Sequence, residues 1–366
     1  MSNIRNIFAV MIMAAAFLAC SGQKDSGALP QLRADMSELD LAKNDHVTFK
    51  VMLDGSDVTA LSVITVGEEQ LDGAVFAPQE SGLYTFIAEY DGRVSEQVTI
   101  MVYNSDPKVE SQFAKRVCVT EFTGAWCVNC PEGYDDMMGI LSKPSLAKHK
   151  DRISFLAFHS NVEGVDTLAI SNTQDVIGLF PKVAQGGYPA FAVDFKEGAS
   201  GQLTGSGLTL LSDSLLESLK TEYPVCTGVS LASTLSADSK SAEVSVKVKT
   251  DYSNPYYLVV LVIQDRIAGY QKTTVYPEGT GNYIHNHVVR KVVTSYVNTF
   301  AGEKITEDGF IKAGDEVSAD FTVDVDSRWV LENTKIYALV MNCNGEVDNM
   351  NLCPIDGGNS GYEYKE

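Results

Sequence analysis

Two cysteines separated by two residues carry the strongest chemical signal in this sequence. They lie in Thr120-Glu121-Phe122-Thr123-Gly124-Ala125-Trp126-Cys127-Val128-Asn129-Cys130-Pro131. The spacing alone serves a zinc site as well as a redox dithiol. The surroundings favour the dithiol. Val117 to Phe122 reads as a buried strand, and Gly133 to Leu141 has helical spacing in Tyr134, Met137, Met138 and Leu141. On the first turn of that helix the two sulfurs would stand close enough to bond. Free backbone N–H groups and the positive end of the helix dipole would stabilise a thiolate on Cys127, lowering its pKa below the free value of ~8.5. Pro131 lacks an N–H and is tolerated only near a helix start, which places the pair at the N-terminus.

Two more residues bear on this chemistry. Glu121 precedes the cysteines on the strand. Buried there, its carboxyl would be desolvated, its pKa raised, and it would suit accepting the proton of Cys130. The competing reading is a surface or salt-bridged strand glutamate. Gly186-Gly187-Tyr188-Pro189-Ala190-Phe191 runs into a third strand, Ala190 to Phe195. A tight turn before a strand suits a cis X-Pro bond, the alternative being an ordinary trans turn proline.

The remaining candidates are weaker. His285 and His287 would share one face of a strand, as a structural pair or, with ligands not apparent nearby, as a metal pair. Cys343 and Cys353 enclose a short polar loop, and a structural disulfide closing it is expected. Asp348, Asn349 and Asn351 lack the spacing and glycine of an EF-hand and read as solvated loop. Cys118 and Cys226 either pair across a domain junction or are both buried thiols. No phosphate-cradling glycine loop, G-x-S-x-G elbow or H-E-x-x-H is present. No cofactor or resident metal is expected.

The elements that must position these residues fall into three segments. The chain has 366 residues, enough for two to three domains of about 150 residues. With 45% hydrophobic and 21% charged residues it is globular, and a net charge of −20 disfavours nucleic acid as a partner. Residues 30–105 read as an Ig-like β-sandwich. Val47, Phe49, Val51 and Leu53 alternate with polar neighbours, and Tyr84 stands as a corner tyrosine in Gly82 to Tyr90. Phe86 occupies the place of a domain cysteine. Residues 106–222 alternate strand-like and helix-like stretches: Ile153 to Phe158, Asn172 to Phe180, and a capping box at Ser214 to Glu217 that starts or reinforces a helix reaching Tyr223. Residues 223–366 return to β, with Ala242 to Val248, Tyr256 to Ile263, Phe310 to Val325 and Ile336 to Met341, and suggest a second sandwich.

Ahead of these comes an address. Arg5 and the apolar run from Ile7 to Leu18, too short to span a bilayer, form a secretory signal over residues 1–19. Phe17-Leu18-Ala19-Cys20, with a linker over 20–29, resembles a bacterial lipobox in which Cys20 becomes the lipidated first residue. The alternative is an ordinary cut near Ala19. Export implies an oxidising compartment.

Two family resemblances follow. Trp126-Cys127-x-x-Cys130 after a strand, Glu121 in the buried-acid position and Tyr188-Pro189 in the cis-proline position resemble the thioredoxin superfamily over about residues 113–222. That resemblance implies that Cys127 is the exposed nucleophile, that Cys130 resolves the mixed disulfide, and that Pro189 sits against the sulfurs. The Val128-Asn129 pair matches neither the strong reductants nor the strong oxidants and leaves redox direction open. The whole chain resembles the twenty-eight-kilodalton outer-membrane protein family of Bacteroidetes-type bacteria. The resemblance rests on the lipoprotein signal, the Ig-like segment, Glu121 to Pro131, and Tyr283-Ile284-His285-Asn286-His287-Val288-Val289-Arg290. It implies an outer-membrane, lipid-anchored location facing the periplasm or cell surface.

The expected fold is therefore multidomain α+β: an Ig-like sandwich, a central thioredoxin-like α/β domain and a C-terminal β-sandwich. The expected function is thiol-disulfide exchange on extracytoplasmic proteins or peptides. The rival is a surface binding or adhesion lipoprotein whose central segment is a non-catalytic scaffold.

Overall fold

The computed structural model describes residues 27–171, 173–178, 187–200, 205–220, 223–294 and 302–365. The signal run, Cys20 and part of the expected Asn172 to Phe180 helix lie outside them. No helix among the described residues is long and apolar enough to cross a membrane.

The N-terminal strands form two facing sheets. One contains Gln31–Ala34, Val47–Leu53 and Ser56–Asp57; the other runs Glu38–Asp40, Val98–Tyr103, Gly82–Tyr90, Val63–Val66 and Glu69–Gln70. Alternating side chains of both sheets meet inside. Phe49 and Phe86 pack with tilted rings, centroids 4.6 Å apart, so two rings fill the place where a bridge would otherwise cross. Tyr84 donates its hydroxyl to Glu80 O at 2.9 Å, the hydrogen bond of a tyrosine corner.

The rest of the chain departs from the expected architecture. The central segment is not a separate thioredoxin-like α/β domain. Its strands Glu197–Ser200, Ala190–Val193, Val117–Thr123 and Ile153–His159 form one half of a nine-stranded sheet. That sheet continues through Val288–Val292, Tyr257–Gln264, Thr334–Met341 and Val347–Pro354. The join is the parallel pairing of Ala157 with Val288, reinforced by Ala157 N donating to His287 O at 2.8 Å. One apolar core crosses the join, packing Phe122, Phe158 and Ala192 with Leu261, Ile263 and Leu339. The structure is β-rich: 27 strands against four α-helices among the described residues.

On the other face of the sheet, two coverings divide the work. The helices Cys130–Leu141 and Gly205–Ser218 cover the half bearing the cysteines, burying Met137, Ile140, Leu211 and Leu215 against Val117, Val119 and Phe191. A four-stranded sheet, Glu316–Asp324, Ser241–Thr250, Thr227–Leu235 and Gly358–Ser360, covers the other half. The C-terminal sandwich thus exists, but one of its sheets is shared. Ser214 and Glu217 lie inside the Gly205–Ser218 helix and do not cap its start.

The expected Cys343–Cys353 bridge is absent; both are buried free thiols. After a short turn over 343–346 the intervening residues run as a strand, Val347–Pro354, and not as a closed loop. At about 3.3 Å per residue it holds the two cysteines roughly 20 Å apart, far beyond disulfide reach. Asp348, Asn349 and Asn351 are buried strand residues. Asn349 Nδ2 donates to Thr227 O (2.7 Å) and Asn351 Nδ2 to Val229 O (2.8 Å), binding the two sheets. Cys118 and Cys226 are likewise free and buried, each in a different core.

Candidate functional site

The strand Val117–Thr123 is buried along its whole length and delivers the chain to Gly124. A turn follows, closed by Cys127 N donating to Gly124 O at 2.9 Å. The helix begins at Cys130, with Pro131 in its first turn and Gly133 N donating to Asn129 O. Cys127 therefore stands just ahead of the helix and Cys130 opens it. Their sulfurs are bonded, across a Cα–Cα distance of 5.5 Å.

Trp126 is lodged between two glycines. A side chain on Gly124 or Gly164 would collide with its ring. Its indole N–H donates to Ser160 O at 2.7 Å, and its ring meets Tyr188 edge-on at 5.1 Å. The Tyr188–Pro189 bond is cis. Pro189 packs on the first turn of the Cys130–Leu141 helix, where any side chain on Gly133 would strike it.

Glu121 is 4% exposed, and burial pushes its carboxyl up to about 8 although a hydrogen bond from Thr123 pulls the other way. Glu121, Thr123 and Cys130 line one small cleft of about 20 Å³, room for a single water molecule. Those cysteine and carboxyl positions were readable in the sequence. His159, Asp166 and Gln271 were missed. His159 lies one residue past the expected end of its strand, and Gln271 comes from a segment distant in sequence.

Gln271 belongs to a hairpin, Ile267–Gln271 with Thr280–His285, that lies over the disulfide. Its side-chain amide donates to Cys127 O at 2.9 Å and Gly124 O at 3.2 Å. Lys272 N donates to Ala125 O at 2.8 Å. Cys127 is 6% exposed and Cys130 2%. Gln271→Ala removes both side-chain bonds to the cysteine loop, worth together about 1–2 kcal/mol, along with the amide's bond to Lys272 O. In the reduced protein, alkylation of Cys127 is then expected to quicken about 5- to 30-fold. An unchanged rate, read by mass spectrometry, would show that the hairpin does not limit access.

His285 and His287 do not share a strand face. His285 ends the hairpin and turns inward to His159, with ring centroids 5.0 Å apart; burial, and then the neighbouring His159, hold it down to about 4. His287 has φ 58 in the turn that follows and pairs with Asp265 at 3.1 Å. Among the described residues no group of three or more His, Cys, Asp or Glu could hold a metal ion.

The fold and this site define a β-rich protein with a cystine at a helix start, set beside a buried acid. Residues 208–355 match the family model of outer membrane protein Omp28, a match that speaks for the outer membrane. HBP35 of Porphyromonas gingivalis is a similar solved structure, with TM-score 0.51 and 18% identity over 66% of this chain and 76% of that one. This is a likeness of fold. A structure of surface layer protein SbsC, domains 4-9, overlaps only at TM-score 0.20 and 10% identity over 89% of this chain and 50% of that one. No curated protein matches.

Proposed function

We propose that this outer-membrane protein performs thiol-disulfide exchange on extracytoplasmic protein or peptide substrates, anchored through a lipid on Cys20. The observation that carries the reading is the Cys127–Cys130 bond at a helix start, with the buried, elevated Glu121 on the cleft beside Cys130. A structural cystine has no need of a neighbouring carboxyl that costs stability to bury. In the reduced protein, Cys127 attacks a substrate disulfide and forms a mixed disulfide. Cys130 then displaces the substrate sulfur, re-forming the internal bond. Pro189 is buried against the helix start and fixes the turn beside the cysteines.

Cys130→Ser removes the resolving thiol. In the full chain, reduced and offered oxidised protein substrates, this variant is expected to accumulate disulfide-linked adducts through Cys127, while turnover is lost because the adduct is not resolved. The low exposure of both sulfurs beneath the hairpin favours the rival, a surface binding protein with a locked cystine. Absence of any adduct, with unchanged partner binding in a Cys127→Ala/Cys130→Ala variant, would establish that rival.

A further inference from the structure

Beside the disulfide lies a second buried polar set that exchange at the two sulfurs does not by itself require. His159 ends its strand and is 3% exposed. Its Nδ1 lies 2.6 Å from Asp166 Oδ2. Asp166 is fixed in turn, accepting from Ala125 N at 2.7 Å and Leu168 N at 2.8 Å. An ionised Asp166 only accepts, so Nδ1 carries the hydrogen and Nε2 is left to take or release a proton. His159 lines the same one-water cleft as Glu121, Thr123, Cys130, Tyr283 and His285. The dyad also touches the disulfide loop directly, through Ala125.

Glu121, the group suited to accept the Cys130 proton, has almost no contact with solvent. A carboxyl that takes up a proton at each turnover must also lose it. Resting on the exchange reading above, we propose that His159, oriented by Asp166, is a positioning residue that carries the Cys130 proton from Glu121 out of the cleft. In the step, the Cys130–Cys127 bond forms as the bond from Cys127 to the substrate sulfur breaks. The electron pair leaves on the substrate thiolate, which takes a proton from solvent. The Cys130 proton passes to the Glu121 carboxylate, then through the water that the cleft can hold to His159 Nε2. The oxidant of the dithiol is the substrate disulfide itself. The groups facing His159 are Asp166 from the loop after its strand, Glu121 from the neighbouring strand and His285 from the hairpin.

The test uses the reduced full chain and dithiobis(nitrobenzoate). Cys127 attack releases a first coloured thiolate; displacement by Cys130 releases a second. In His159→Gln and Asp166→Asn, the first release is expected at the wild-type rate. The second is expected to slow at least about tenfold near pH 7 and to converge with wild type above about pH 9, where hydroxide takes the proton directly. Asp166→Asn keeps one acceptor oxygen for Ala125 N but gives up the bond from Leu168 N, so His159→Gln, which leaves both of those bonds in place, is the decisive variant. A second release unchanged at pH 7, or slowed equally at every pH as a structural defect would do, overturns the relay. Absence of the first release in the wild-type protein overturns the exchange reading and the relay with it.

Discussion

Lys115→Met is expected to destabilise the fold by about 3–5 kcal/mol, the usual consequence of leaving a buried ion without its partner. Lys115 is 1% exposed. Its ammonium donates to Val347 O and Asp348 O at 2.7 Å each and pairs with Asp194 at 3.2 Å. One side chain thereby ties the start of the cysteine-bearing strand to the last strand of the shared sheet. Removing it orphans two carbonyls and strands Asp194, itself buried and accepting from Cys118 N. Burial already raises the Asp194 carboxyl, and Lys115 is the chief influence opposing that rise. A carboxyl raised in the fold contributes stability that is complete below its unfolded value and fades as pH rises through its folded value. The deficit of Lys115→Met should therefore shrink in acid and widen toward neutrality. Urea unfolding of both proteins at pH 4 and pH 7 checks this; a pH-independent deficit, or one below about 1 kcal/mol, would contradict the account.

Glu121→Gln is expected to gain stability and lose exchange. The carboxyl sits at about 8 in the fold and titrates near ~4.3 when unfolded, so keeping it costs about 3 kcal/mol at pH 7. The sign follows from the raised value: the cost is absent below the unfolded pKa, grows as pH rises, and levels off above the folded one. Glutamine carries no such burden, and the variant should be more stable by up to about that amount at neutral pH and equal to wild type near pH 4. Release of substrate by Cys130 should slow about a hundredfold near pH 7, because the proton acceptor is gone. A variant with unchanged kinetics would make Glu121 a purely structural residue.

The local parts of this site were legible in the sequence, and the long-range parts were not. The apolar run before Cys127, the proline after Cys130 and the glycine-tyrosine-proline turn each carry a backbone preference set by near neighbours, and they marked the strand, the helix start and the cis peptide. The sheet that joins the two halves depends on pairing Ala157 with Val288, a contact without a local signature. That pairing is why an independent α/β domain was expected where a shared sheet exists. Asp348, Asn349 and Asn351 look like a loop because their polarity hides a strand. Their side chains satisfy backbone groups of neighbouring strands and segments, which periodicity cannot reveal. Gln271 and His159 were invisible for the same reason: their chemistry arises from what the fold brings above and beside the cysteines.

The reduction potential of the Cys127/Cys130 couple, measured in the full chain against glutathione buffers with acid trapping, tests the central claim most directly. Exchange on exported proteins predicts a value between about −270 and −120 mV, the span of dithiols that cycle. A couple below about −300 mV that stays oxidised in every buffer would mark a structural cystine and contradict the exchange reading.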